Sequence, residues 1–419
     1  MKLNASLKYI IQLIGISILV GIIVGIIANS LGFIFRLVEE LFLKFHESPS
    51  NTVNLLVSPL RKALSVFSAS IIVSIVWYVL HKESYLTNVE EALRGKKMSS
   101  KATIISGIAQ TLYIGAGGSI GRESAPREIG AFVAQKFGYI FNFNKDDLKI
   151  LIASAAGAGL AGQYTAPLSG IVFANIILYK KITVKSLAIS SIMSMIATLI
   201  GVLDRGTKAY YLIDQSGFSL RTIPFAIISG LVIGILGHYY RQLISKAKSE
   251  RITNERIFLL LPLIGFLTGL IIFINPFIMG NGRALAQFSY SITSPSKALA
   301  IFLIFSAIIK AIITSLNIYA GAYGGILTPS ISIGRALGLL IGFVWSCFVD
   351  PSLPLIECGL IGSAAFLAAT QKSYIFSCVL ILELCHLNFL SLAPLIIAGI
   401  VAIQVPKMLV LKKKLFQLY

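Results

Sequence analysis

Residues 115–126 read GAGGSIGRESAP, and residues 321–329 read GAYGGILTP. Each stretch places glycines in an apolar segment, follows them with a proline, and leads into a long segment rich in small residues. The two stretches begin 206 residues apart, and a second similarity, AGLAG at residues 158–162 and AFLAA at residues 365–369, repeats after 207 residues. Two similarities at about half the chain length indicate a duplicated fold.

The interruptions within these apolar stretches indicate where a transport site would lie. Glycine and proline inside a membrane segment mark broken or re-entrant helices, which are tolerated only where they line a cavity or are buried in protein. Corresponding interruptions in two halves point to a site near the middle of the membrane, where N-termini of half-helices meet. Their N–H groups and positive dipole ends favour an anion. Close helix packing is the other interpretation of the glycines, but it explains less well why the interruptions recur at matching places.

The composition places the chain in a membrane. Of its 419 residues, 56% are hydrophobic and 13% are charged, and the mean hydropathy is +0.85. Nine uncharged runs of at least 18 residues could each span a bilayer as a helix, which needs about 20 residues. The runs are 9–35, 63–81, 102–121, 150–179, 186–203, 222–240, 257–282, 311–334 and 384–406. They exclude a soluble enzyme, a single-anchor protein and a disordered chain, and they disfavour an outer-membrane barrel, whose strands are about 10 residues long.

The spacing of these runs predicts one transmembrane domain over residues 1–419. Its repeat halves are expected at approximately 1–205 and 206–419, with no soluble regulatory domain. The first apolar run lacks a cleavage signature and is too long for a signal peptide, so we predict a retained helix.

The formal net charge of +19 has two interpretations. Basic clusters near both chain ends and between apolar runs are typical of cytoplasmic loops, which predicts a multi-pass protein of the cell membrane with both termini in the cytoplasm. Part of the excess charge could instead attract anions towards the protein, and the composition does not separate these two interpretations. No stretch is long enough to form a basic soluble module, so we predict no nucleic-acid partner.

The residue types that carry enzyme or metal chemistry are scattered. The four cysteines lie in apolar surroundings in the last quarter of the chain, as expected for small core residues. The four histidines show no ligand spacing, and no nucleophile is accompanied by a base. We therefore predict no catalytic residues, no metal site, no cofactor and no enzymatic activity.

Glu123 is the candidate for a functional acid. It lies in GSIGRESAP, where the run 102–121 ends and the next helix is expected to begin. An acid at that depth is energetically expensive and is by default a functional candidate. Its carboxylate could occupy an anion site and leave on protonation, acting as a tethered competitor. The alternative is a first-turn glutamate that pairs with Arg122 and interacts favourably with the helix dipole.

Four motifs together resemble the CLC chloride channel and anion/proton antiporter family. GRE at residues 121–123 matches the family's GRE motif, and GGILTP at 324–329 is similar to GGIFAP. APLSG at 166–170 is similar to APLAG, and LEL at 382–384 is similar to LEM. The resemblance implies an all-α polytopic membrane protein with an inverted-topology internal repeat of tilted and broken helices, usually a homodimer in which each subunit has its own anion pathway.

The resemblance also implies site residues. The family's external gate and proton acceptor corresponds to Glu123, and the backbone amides that hold the anion correspond to those of Ile326 and Leu327. Aligning VEEAL with the family's IEGAL places Ser84 at the anion-binding serine. The anion-binding tyrosine corresponds either to Phe416, in a Leu-Phe pair that resembles the family's Leu-Tyr, or to Tyr419.

One departure from the family bears on the mechanism. Many antiporters of the family carry an internal glutamate soon after APLAG, and Ile177 occupies that position. Isoleucine cannot relay a proton. We predict transmembrane chloride transport in a lipid bilayer, with chloride/proton antiport preferred and a passive chloride channel, favoured by Ile177, as the alternative. Fluoride/proton antiport is disfavoured because GGILTP has no acid and Ser84 remains a serine.

Overall fold

The computed structural model describes residues 5–48, 51–53, 55–213, 218 and 221–416. These residues form sixteen α-helices and no β-strand, so the all-α prediction is confirmed. The helices are α1 (Ala5–Leu43), α2 (Pro59–Glu83), α3 (Val89–Leu93), α4 (Ser100–Gly115), α5 (Ser124–Ile140), α6 (Lys145–Tyr164), α7 (Pro167–Val172), α8 (Val184–Arg205), α9 (Thr222–Ser249), α10 (Ile257–Ile274), α11 (Arg283–Tyr290), α12 (Lys297–Tyr319), α13 (Leu327–Phe348), α14 (Leu355–Gln371), α15 (Tyr374–Cys385) and α16 (Leu392–Phe416).

Eight helical segments of the described chain are long and apolar enough to cross a bilayer. They are α1 from Leu7 onward, α2, α8, α9, α10, α12, α13 and the segment Phe389–Met408, which includes much of α16. Large apolar side chains on these helices, including Leu199, Leu259 and Phe305, are exposed. Extended apolar surface of this kind is expected where a helix faces lipid. The prediction of a multi-pass membrane protein is confirmed.

The run 150–179 is not the continuous span that its lack of charge suggested. Helix α6 ends at Tyr164, Thr165 adopts a left-handed conformation with φ of 51°, and α7 begins at Pro167. Proline disfavours a helical conformation in the residue before it, which accounts for a break at Ala166. A π-helical segment, Phe173–Tyr179, then continues α7.

Two further runs are also broken, as the glycines predicted. In the run 102–121, α4 ends at Gly115 and Gly117 adopts φ of 110°. In the run 311–334, α12 ends at Tyr319, Gly321 adopts φ of 118°, and α13 begins only at Leu327. Glycine reaches these positive φ values without the steric cost that a Cβ atom imposes. The prediction of broken helices is confirmed, whereas the interpretation of these runs as single spans is wrong.

The chain divides into two compact units. The first contains residues 1–35, 79–111 and 123–208, and the second contains 36–78, 112–122 and 209–419. Along the sequence, α1 to α8 and α9 to α16 follow the same order, with a short helix third in each series. The boundary between repeat halves near residue 205 stays a prediction.

Small residues bring helices of the first unit into backbone contact. A Cβ atom on Gly130 of α5 would lie 2.7 Å from the carbonyl oxygen of Ala155 on α6. A Cβ atom on Gly159 of α6 would lie 2.6 Å from the carbonyl carbon of Pro126 on α5. Close approach through small residues is a common way for helices to associate in lipid. This contact fixes the first turn of α5, next to Glu123.

The second unit contains a similar contact between α13 and α14. A Cβ atom on Gly334 of α13 would lie 2.6 Å from the carbonyl oxygen of Gly362 on α14, and one on Gly338 would lie 2.8 Å from the Cα atom of Gly362. These helices follow a Gly-rich break, as α5 and α6 do. Each unit therefore anchors a helix that starts after a break by packing it on a small-residue helix.

Replacing Gly159 by Ala is expected to destabilise the protein by about 1–3 kcal/mol, because the added methyl group overlaps the backbone of α5. Thermal unfolding in detergent would measure the loss. Gly15→Ala on α1 is the matched control, since a Cβ atom there has no neighbour within 4 Å. Equal melting temperatures for the two variants would contradict the close packing.

Candidate anion site

Glu123 lies at the N-terminus of α5 in the first unit. Its side chain is fully buried, and it makes no capping hydrogen bond to the helix. The hydroxyl group of Tyr164, the last residue of α6, donates a hydrogen bond to Glu123 Oε2 over 3.4 Å. The Gly159–Pro126 contact between the same two helices brings the end of α6 to the start of α5. The carboxylate is therefore withdrawn from water and held by a phenol.

The second interrupted stretch places a helix N-terminus at Ile326 and Leu327 in the second unit. Ile326 is the residue before α13, and its carbonyl oxygen accepts the hydrogen bond of the Ser330 N–H group over 2.9 Å. N–H groups earlier in the first turn have no carbonyl of their own helix to bind. Leu327 is buried and Ile326 is half-buried. Such N–H groups and the helix dipole together favour an anion.

A backbone bridge joins the two Gly-rich stretches. The N–H group of Gly121 donates to the carbonyl oxygen of Gly325, and the N–H group of Gly325 donates to that of Gly121, each over 2.7 Å. A Cβ atom on Gly324 would lie 2.6 Å from Ile120 Cδ1. The sequence predicted that these stretches correspond, but it gave no sign that they pair directly. The bridge fixes the backbone immediately before Arg122 and before Ile326.

The sequence matches a known family of membrane proteins. The family model described as "Voltage gated chloride channel" matches residues 69–407. The chain belongs to the voltage-gated chloride channel family. This CLC protein is 28% identical over 402 residues to the voltage-gated ClC-type chloride channel ClcB of Salmonella dublin, covering 92% of this chain and 94% of that one. It is 31% identical over 310 residues to ClcB of Citrobacter koseri, covering 72% of each chain.

Solved structures show the same fold. A slow cyanobacterial Cl⁻/H⁺ antiporter matches the CLC chain with a TM-score of 0.78 at 20% identity, over 95% of both chains. A eukaryotic CLC transporter gives 0.78 at 19% identity, over 96% of this chain and 72% of that one. A CLC-type fluoride/proton antiporter gives 0.69 at 17% identity, over 96% and 97%. The predicted CLC family and CLC-like fold are confirmed.

Ser84 lies directly after α2 in this CLC protein, with its N–H group bonded to the carbonyl oxygen of Leu80 over 2.9 Å. Its side chain is partly buried. The next helix, α3, begins five residues later and is capped by Asn88, whose side chain accepts from the Glu91 N–H group over 2.9 Å. Ser84 is thus separated from a helix N-terminus, and its part in anion binding stays a prediction.

The two aromatic candidates near the C-terminus stay open. Phe416 is the last residue of α16, and its side chain is not among those that the structure describes. Tyr419 lies outside the described residues. The assignment of the anion-binding aromatic residue to one of them stays a prediction.

Ile177 lies within the π-helical segment that continues α7. The hydroxyl group of Tyr179, in the same segment, donates to Asp146 Oδ2 over 3.1 Å. The neighbouring carboxylate, Asp147, accepts from Lys185 over 2.9 Å and from Tyr9 over 2.5 Å. Burial alone would raise the pKa of Asp147, but these hydrogen bonds and the Lys185 charge lower it. Asp147 therefore stays ionised at neutral pH, which suits an ion pair better than a proton carrier.

A buried charge cluster, which the sequence did not reveal, holds Arg122. Glu47 accepts from Arg283 Nη1 over 2.5 Å and lies 3.5 Å from Arg122 Nη2. Tyr210 stacks beneath Arg283, with the guanidinium 3.9 Å from the ring centre. Burial alone would raise the pKa of Glu47, but the two guanidinium groups outweigh it and lower the pKa. Glu39 is buried beside them and accepts from the Glu47 N–H group over 2.9 Å, so the cluster at the second residue of GRE contains two guanidinium groups and two carboxyl groups.

Proposed function

We propose that this CLC protein exchanges chloride for protons, with Glu123 as both the gate and the proton acceptor. Transport of chloride across a membrane is the activity of the family. The observation that carries the finer proposal is the fully buried Glu123 carboxylate at the start of α5, held by the Tyr164 hydroxyl group. A buried carboxylate can remain charged only where donors or positive potential replace water.

The proposed cycle uses competition for one anion position. The ionised Glu123 occupies the position, so that chloride is excluded. Binding of a proton to the carboxylate neutralises it, the side chain leaves, and chloride takes its place. Backbone N–H groups such as those of Ile326 and Leu327 would hold chloride along its path. Loss of the proton returns the charged side chain and expels chloride. Each proton accepted is thereby linked to the movement of anions.

A passive chloride channel is the second candidate, and Ile177 is the observation that favours it. An isoleucine on the π-helical segment offers no proton-binding group on the inner route, and Asp147 is engaged by Lys185 and Tyr9. An antiporter would then need water or another acid to carry protons to Glu123. Fluoride exchange has less support, because GGILTP carries no acid.

We place the protein in the cell membrane as a homodimer with both termini in the cytoplasm. The basic residues Lys2, Lys8 and Lys412 to Lys414 near the two ends support this orientation, because positive residues accumulate on the cytoplasmic side. The dimer rests on the usual assembly of the family. Crosslinking in native membranes and protease accessibility from each side would test the two statements.

Purified protein in liposomes distinguishes an antiporter from a channel. Under a proton gradient with no chloride gradient, an antiporter drives chloride uphill, because the two movements are coupled. Chloride that stays at equilibrium would contradict antiport and support the channel. Should uphill movement occur, Ile177→Glu is expected to leave the coupling ratio unchanged, since a working proton route already exists.

Removing the Tyr164 hydroxyl group is expected to loosen the gate. Without this donor the carboxylate competes less well with chloride, so Tyr164→Phe should raise chloride flux about 2–10-fold, corresponding to a hydrogen bond of about 0.5–1.5 kcal/mol. Proton coupling should persist because Glu123 is intact. Tyr179→Phe, which removes the hydroxyl bonded to Asp146, is the matched control and should leave flux unchanged. An unaltered flux in Tyr164→Phe would show that the phenol does not restrain the gate.

A further inference from the structure

A lysine that the proposed cycle does not use is fully buried in the second unit. Lys310 lies within α12, and none of its surface is exposed. A buried cation in a membrane domain is costly and by default indicates function. In the sequence, Lys310 directly precedes the uncharged run 311–334 and therefore resembles a residue at the end of a membrane span.

The ammonium group of Lys310 makes three hydrogen bonds. It donates to Ser119 Oγ over 2.8 Å, to the carbonyl oxygen of Ile278 over 2.9 Å and to that of Gly280 over 2.6 Å. A lysine has three donors, so this set uses all of them. All three acceptors are neutral, and no carboxylate among the described residues forms an ion pair with Lys310. The side-chain nitrogen is therefore held in position by neutral oxygen atoms alone.

These acceptors belong to two irregular segments next to the Gly-rich stretches. Ser119 lies two residues before Gly121, which pairs with Gly325 through two hydrogen bonds of 2.7 Å. Gly280 joins the same segment a second time, because its N–H group donates to the carbonyl oxygen of Gly117 over 2.9 Å. Lys310 thus connects the irregular segment around Ser119 with the end of the short 3-10 helix Pro276–Ile278 and the turn that follows it.

The fit around the lysine is tight. Gly282 adopts φ of 96°, and a Cβ atom there would lie 3.2 Å from Lys310 Cε and 2.6 Å from Ser332 Oγ on α13. The side chain of Lys310 therefore runs beneath Gly282 and beside the first turns of α13. A shorter side chain at residue 310 could not reach the three oxygen atoms, and an apolar side chain of the same length could not donate hydrogen bonds to them.

We propose that Lys310 is a positioning residue for anion transport. It holds the segment 116–121 against the segment 278–282, and through the Gly121–Gly325 bridge it sets the backbone that precedes α13. This inference rests on the proposed anion site at Ile326 and Leu327, and it does not depend on whether transport is coupled to protons.

Hydrogen exchange and chloride binding test this role with Lys310→Met, which keeps the apolar stem and removes the donors. We expect amide exchange in residues 116–121 and 278–282 to rise about tenfold, the loss expected for a hydrogen bond to a charged group. Chloride affinity by calorimetry should fall about fivefold, measured well below the melting temperature. Lys62→Met on α2, which removes another buried lysine of the same unit, should change neither.

Protection and affinity equal to wild type in folded Lys310→Met would overturn the proposal. If that variant does not fold, Ser119→Ala decides, because it removes one acceptor and keeps the lysine. It should raise exchange in residues 116–121 and weaken chloride binding about twofold, and no change in either would reject the role. Absence of proton movement by the wild-type protein would instead reject antiport. The comparison of amide hydrogen exchange between wild type and Lys310→Met would still be valid.

Discussion

Replacing Glu123 by Gln is expected to abolish proton movement while chloride continues to cross the membrane. Glutamine has nearly the shape of glutamate, but it carries no negative charge and does not bind a proton at neutral pH. It therefore cannot compete with chloride as an anion or deliver a proton. The Glu123 side chain is fully buried at the start of α5, and the substitution removes its charge without adding a larger group to this packed position.

Liposomes loaded with chloride would report both fluxes together. Proton flux should fall to the level of empty liposomes, and the ratio of protons to chloride should approach zero. Glu128→Gln is the matched control on the same helix, since its carboxylate accepts from Gln110 over 3.1 Å, and it should keep the wild-type ratio. Proton movement that survives in Glu123→Gln would remove this residue as the gate.

The sequence predicted the class of fold because a membrane helix is recognised from the length and apolar composition of a segment, whatever its exact order of residues. Apolar runs and Gly-rich interruptions marked the spans and the breaks. The predicted ends of the span 311–334 were wrong. Lys310 and Arg335, the charged residues on either side of it, are both buried within helices. Arg335 donates to the carbonyl oxygen of Ser289 over 3.0 Å and stacks on Tyr290. A count of uncharged residues cannot separate a charge that ends a span from one buried inside it.

A candidate residue is easiest to find from the sequence where one side chain carries the proposed chemistry. Glu123 stood out because it follows an interrupted apolar stretch, at a depth where an acid is energetically expensive, and its side chain is buried. Long-range pairs left no such sign. The Gly121–Gly325 bridge and the Glu47–Arg283 ion pair join residues 204 and 236 positions apart. Backbone pairing leaves no side-chain pattern, so a single sequence does not reveal it.

Replacing Leu327 by Pro is expected to weaken chloride binding about 10–100-fold. The change removes one backbone N–H group at the first position of α13, and a hydrogen bond to a charged group contributes about 1.5–3 kcal/mol. Proline is tolerated at the first position of a helix, but the ψ of 5° at Ile326 is disfavoured in the residue before a proline, so thermal unfolding must first show that the variant is folded. Leu327→Met keeps the amide and should bind chloride like wild type, because the backbone rather than the side chain supplies the donor.

Calorimetric titration with chloride would compare these two variants with a third. Val184→Pro places a proline at the first position of α8, where the side chain is exposed and the preceding Thr183 has ψ of 156°, a value that accommodates proline. This control separates loss of the Leu327 amide from the general effect of adding a proline. Wild-type affinity in folded Leu327→Pro would show that the start of α13 does not hold the anion. The donors would then have to be sought elsewhere in the second unit, for example at the guanidinium groups of Arg122 and Arg283.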